Sequence, residues 1–90
     1  MSVEQTMREK LTKEFEPLTL QVENVSHHHA GHASSPGTGE SHFNVAIVSD
    51  AFRGMSKVAR FRAVHKALRE EMNGPVHALS LDLRAPDEVF

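Results

Sequence analysis

Apolar positions first recur at Val3, Met7, Leu11 and Phe15, the four-residue spacing that lines one face of a helix. Ser2 followed by Gln5 has the spacing of a capping box, so a helix is expected from about Ser2 to Glu16, ended by Pro17. The period then falls to two. Leu18, Leu20 and Val22 alternate with Thr19, Gln21 and Glu23, the pattern of a half-buried strand running to about Val25. Residues 26–41, SHHHAGHASSPGTGES, keep no period and read as a long, flexible, histidine-rich loop. A second strand, His42 to Ser49, sets Phe43, Val45 and Ile47 on one face and Ala46 and Val48 on the other; it pairs most simply with the first as a long-looped hairpin. Beyond a connector containing Gly54, Ser56 caps a second helix reaching about Met72. Its apolar sector is Val58, Phe61, Val64, His65, Leu68 and Met72. Asn73, Gly74 and Pro75 end that helix, and a third strand from Val76 to about Leu83 aligns Leu79, Leu81 and Leu83. Ala85 to Phe90 could begin a final short helix, too short to hold unaided.

This order predicts one α+β domain over residues 1–90, with two helices on one face of a three-stranded mixed sheet. The third strand should run parallel to a neighbour, because a helix connects it to the second. A chain of 90 residues buries only about 60% of its unfolded surface, so the core is thin.

Composition narrows the function. The chain has no cysteine, which excludes disulfides, thiol catalysis and any thiolate metal site built from this chain alone. Trp and Tyr are absent as well, so base stacking would fall to Phe or His. No run approaches the roughly 20 apolar residues of a membrane span. The opening MSVEQTMREK has no apolar signal region and no transit character, so a cytoplasmic protein is expected. A net charge of −2 is too balanced for a dedicated polyanion binder. No GxSxG, P-loop or paired-carboxylate pattern occurs, which argues against an enzyme.

The unusual feature is seven histidines. His27, His28, His29 and His32 crowd the loop, with His42 beyond them. Neutral imidazole is a common transition-metal ligand, yet the spacing matches no zinc motif, and a solvated loop with adventitious metal affinity is the competing reading. His77 opens the third strand, either as a ligand at the rim of the core or as a hydrogen-bonded cap on the sheet edge. His65 falls inside the apolar sector of its helix and reads as a packed core histidine. The stretch from residue 51 to 72 carries Arg53, Lys57, Arg60, Arg62, Lys66 and Arg69 against Glu70 and Glu71. Such a basic helix can dock on phosphates or simply be a solvated face.

Three stretches together resemble the BolA family. They are Glu40-Ser41-His42-Phe43 leading into Val45-Ala46-Ile47-Val48-Ser49; Phe52-Arg53-Gly54 followed by Arg60-Phe61-Arg62 and Val64-His65-Lys66-Ala67-Leu68; and Gly74-Pro75-Val76-His77-Ala78-Leu79. The match spans nearly the whole chain. Two departures stand out: Phe61 occupies a position between arginines where family members usually carry histidine, and the C-terminal end is short. The resemblance implies an αββαβ fold similar to a class II KH domain. It also implies a non-enzymatic adaptor, monomeric when isolated and without a bound cofactor. Its partner would be a monothiol glutaredoxin, with which it forms a heterodimer sharing a 2Fe-2S cluster completed by glutathione, in iron-sulfur and iron homeostasis. By that resemblance His77 is the strand ligand and His32 the loop ligand, with His27, His28 and His29 as substitutes. Two imidazoles on one iron resemble Rieske ligation. The alternative implied is a DNA-binding transcriptional regulator of stress response and cell morphology, using Arg60, Arg62, Lys66, Arg53 and Lys57. That role cannot rest on a KH-type GxxG loop, because the Gly37 and Gly39 stretch lies in the wrong loop with the wrong spacing.

Overall fold

The computed structural model describes residues 2–25 and 42–89. Helix α1 spans Val3–Phe15, and the Ser2 hydroxyl accepts from the Gln5 N–H as the capping pattern predicts. It ends where expected: Glu16, ahead of Pro17, turns into the left-handed region with φ 43°. Strand β1 (Thr19–Asn24) pairs antiparallel with β2 (His42–Val48), from Thr19 opposite Val48 to Asn24 opposite Phe43. Strand β3 (Ala78–Arg84) lies parallel to β2, with His42 opposite Ala78 and Val48 opposite Arg84, giving the order β1-β2-β3. Both sheet relationships follow the expected connections, a hairpin for β1 and β2 and a helical crossover for β2 and β3.

One face of the sheet carries the core. Met7, Leu11 and Phe15 of α1 pack with Val22, Phe43, Val45 and Ile47, and with Phe52, Val76 and Ala85. The alternation along β2 fixes its register, since a slip of one residue would bury Asn44 in place of Phe43. Ser49 adds a polar tie: its buried hydroxyl donates to the Phe15 carbonyl and accepts from the Ala51 N–H, joining the end of β2 to the end of α1.

Several expectations need correction. The second helix is not continuous. It divides at Leu68 (φ −104°, ψ 22°) into α2 (Lys57–Ala67) and α3 (Arg69–Asn73). Its buried line is Arg60, Val64 and Leu68, whereas Val58 is 59% exposed and Phe61 48% exposed. The reason is Arg60, which is 6% exposed and fully engaged by internal acceptors, so it takes a core-facing place that hydrophobic periodicity gives to carbon side chains. His65 is half-buried rather than packed in the core, with its ring 4.2 Å from that of Phe61. Leu18 is 59% exposed because β1 starts one residue later, although the Leu18 N–H still donates to the Val48 carbonyl at 2.8 Å. Leu79, Leu81 and Leu83 are half-buried, as suits an edge strand. The chain finishes with a single 3-10 turn, Pro86–Glu88.

Candidate ligand site and basic face

His77 precedes β3 and is exposed, on a connector that is firmly held at its other end. The Glu71 carbonyl accepts from the Gly74 N–H at 3.2 Å and the Val76 N–H at 3.0 Å, and the Val76 side chain is 2% exposed. A rigid, buried residue therefore sits directly before an exposed imidazole. Among the described residues no hydrogen bond or ion pair engages the His77 ring, and the residue is exposed. The edge-cap alternative requires such a bond, and none is made to the described residues.

The sheet brings the ends that flank the 26–41 segment to the same place. The last bond of the hairpin runs from the Val25 N–H to the His42 carbonyl at 2.9 Å, and His42 lies opposite Ala78, the residue after His77. Residue 26 follows Val25 and residue 41 precedes His42, so both stems of the 26–41 segment stand at the sheet end where β3 begins. His32 and its substitutes His27, His28 and His29 lie outside the described residues. Among the described residues no group of three or more His, Cys, Asp or Glu side chains forms a metal site.

The basic residues divide into two sets. Arg60 is an internal hub: its Nε donates to the Met55 carbonyl at 3.1 Å, and one terminal nitrogen reaches the Leu83 carbonyl at 3.1 Å. The same guanidinium grips Glu88 at 2.6 and 3.2 Å, while the Glu88 carboxylate also accepts from the Ala85 N–H. Hydrogen bonding from Arg60, then from the Ala85 backbone, holds the Glu88 carboxyl below its ordinary 4.5. Arg53 is paired with Asp50 and with Asp87 at 3.2 Å, which raises its pKa through the Asp50 hydrogen bond first. Arg60 and Arg53 are thus committed within the domain. Lys57, Arg62, Lys66 and Arg69 remain exposed without an ion pair among the described residues. Sequence spacing could have flagged Arg60, since it stands at i, i+4, i+8 with Val64 and Leu68.

A groove of about 450 Å³ lies between α2 and β3, lined by Lys57, Phe61, Leu81 and Leu83. It holds neither His77 nor the Arg62 and Lys66 cations, so we place the candidate chemistry at the sheet end instead. No helix among the described residues is long and apolar enough to cross a membrane.

The architecture is that of a small α+β domain whose mixed sheet carries an exposed histidine at the start of its parallel strand. The chain belongs to the BolA-like protein family, whose family model matches residues 11–88. It is 49% identical over 87 residues to the SufE-like protein 1, chloroplastic/mitochondrial, of Arabidopsis thaliana, covering 92% of this chain and 24% of that protein. The chain thus spans about a quarter of that relative's length. It is 43% identical over 89 residues to the DNA-binding transcriptional regulator BolA of Haemophilus influenzae, covering 98% of this chain and 82% of the relative. Among solved structures, BolA1 from Arabidopsis thaliana superposes with a TM-score of 0.90 at 48% identity, covering 100% of this chain and 98% of that one.

Proposed function

We propose that this protein is a non-enzymatic adaptor that binds a monothiol glutaredoxin and shares a 2Fe-2S cluster with it. In this reading His77 and His32 are the ligands from this chain, His27, His28 and His29 are substitutes for His32, and the partner supplies its cysteine and bound glutathione. The observation that carries it is the meeting, at one end of the sheet, of an exposed His77, without a partner among the described residues, with the Val25 and His42 ends from which the histidine-rich segment runs. The described part of the donor set fits: an imidazole with no partner among the described residues can turn a nitrogen outward without breaking a bond to them. When bound, such a cluster supplies a redox-active or transferable iron-sulfur unit, with a potential raised by histidine in place of thiolate.

The chain's own residues divide the work. His77, fixed behind buried Val76, is the pre-organised ligand, and the loop brings the adjustable one. The test is a titration with a cluster-loaded monothiol glutaredoxin followed by visible absorption and circular dichroism. His77→Ala should abolish the mixed-cluster spectrum, whereas His32→Ala should weaken or alter it, because neighbouring histidines can replace it. A wild-type spectrum from His77→Ala would end the assignment.

A second reading, DNA binding, has its own support in the exposed Lys57, Arg62 and Lys66 and in the name of the Haemophilus relative. With Arg60 and Arg53 occupied internally, few cations remain for phosphates, so this mode would be weak and salt-sensitive.

A further inference from the structure

Helix α1 contains none of the residues assigned to the ligand site, yet it makes polar contacts with both segments that lead to it. Arg8 donates to the Val22 carbonyl of β1 at 2.8 Å, two residues before the strand ends and the loop stem begins. Lys10 reaches the opposite side: its Nζ meets both Glu71 carboxylate oxygens, at 3.0 and 2.8 Å. The carboxylate is almost enclosed, with a side-chain exposure of 9%. That hydrogen bond is the first cause of a raised Lys10 pKa, so the ammonium stays charged across the physiological range.

Glu71 has two attachments. Its side chain is held on α1 by Lys10, and its carbonyl receives the N–H groups of Gly74 and Val76. Beyond the break at Leu68, Glu71 is buried while Met72 is only half-buried. Gly74 closes the turn, where an added Cβ would lie 3.3 Å from the Glu70 carbonyl oxygen. The line from Lys10 to Glu71 to Val76 therefore ends one residue before the exposed imidazole.

We infer that Lys10 and Glu71 are positioning residues for His77, a clamp that fixes from α1 where β3 starts and hence where its imidazole stands. The inference rests on the proposed role of His77 but is measurable without it. Outer-shell partners of a ligand typically cost 10–100-fold in affinity when removed, and a backbone clamp belongs at the lower end of that range.

The experiment compares Lys10→Met, Lys10→Arg and a control, Asp82→Asn, which breaks an exposed pair with Arg84 on β3. Two measurements are made on the full chain: apparent affinity for cluster-loaded glutaredoxin, and NMR of the Val76 amide and the His77 ring. Lys10→Met should weaken the mixed complex about tenfold, speed exchange of the Val76 amide and shift or broaden the His77 ring signal. Lys10→Arg should restore all three, since it keeps charge and reach toward the carboxylate, and Asp82→Asn should change none. Wild-type affinity, amide exchange and ring signal in Lys10→Met would overturn the clamp. Should the wild-type protein give no mixed-cluster spectrum, the cluster reading falls, and the NMR alone decides the clamp: a faster Val76 amide upholds it, an unchanged one overturns it.

Discussion

Replacing Arg60 with methionine separates a structural arginine from a phosphate-binding one. Methionine keeps most of the aliphatic stem, so packing beside Val64 and Phe52 changes little, and the perturbation falls on the guanidinium. The loss is legible in its partners. The carbonyls of Met55 and Leu83 each give up a donor at 3.1 Å, and the Glu88 carboxylate gives up both of its bonds from Arg60. Glu88 has a side-chain exposure of 44%, so water can re-solvate it and it adds little to the sum. A buried acceptor left without its donor costs roughly 1–3 kcal/mol; these two are only partly buried, so together they give about 2–4 kcal/mol. For a domain of this size that is a fall in melting temperature of roughly 10–25 °C. Thermal and urea unfolding followed by far-ultraviolet circular dichroism reads it directly. A melting temperature within about 3 °C of wild type would show that these bonds contribute little, and would return Arg60 to the pool of available cations.

Phe61→Ala should cost less than about 1.5 kcal/mol in urea unfolding, against the roughly 3–5 kcal/mol of a core phenylalanine, because the ring is 48% exposed and meets mainly His65. For Glu88 the sign follows from a carboxyl whose folded pKa lies below 4.5: its stabilisation is complete above that value and is lost as pH falls from 4.5 through the folded pKa. Glu88→Gln should therefore flatten the acid limb of the stability profile below about pH 4.5 and leave its slope near neutrality unchanged, as measured by urea midpoints at stepped pH. If DNA is bound, charge reversal at Arg62 and Lys66 should weaken it in anisotropy measurements and reduce the salt slope by about 2, with the melting temperature held, since both side chains are exposed.

Helix α1 and the three strands were legible because their apolar residues carry a clean local period, and the Ser2 cap and Pro17 mark the limits of the first helix. Where the reading failed, a polar residue held a place that periodicity reserves for apolar ones. Arg60 took the buried line of α2 because its acceptors come from residues 55, 83 and 88, and distant partners leave no mark on the local sequence. Phe61 and Val58 then fell on the exposed side by simple helical geometry. The Lys10–Glu71 pair, beyond the break at Leu68, is equally silent in the sequence, since its residues lie 61 apart. At the site, the type and exposure of His77 could be anticipated from its place at a strand start, but its firm backing could not, because the Glu71 carbonyl and the α1 clamp are features of tertiary contact alone.

The polar ties of α1 also bear on how an exposed histidine at a strand start is held over a thin core. A residue at the start of an edge strand would ordinarily fray, since it has a neighbour on one side only and little apolar area to bury. Here the fraying is opposed at the residue before it: Val76 is buried, its N–H is bonded, and the carbonyl that receives it belongs to Glu71, whose side chain is anchored on another helix. Order thus lies in the backbone leading to His77, while the imidazole itself has no partner among the described residues. In a chain without cysteine that division matters, because histidine would have to serve as its ligand and would do so best from a fixed base with an open ring. The exposed cations on α2 obey a different rule. They are held by the helix alone, with no second anchor among the described residues, as suits phosphate contacts that tolerate loose geometry. The polar architecture of the domain therefore concentrates its backbone anchoring at the start of β3, ahead of His77, and leaves the exposed cations of α2 without any among the described residues.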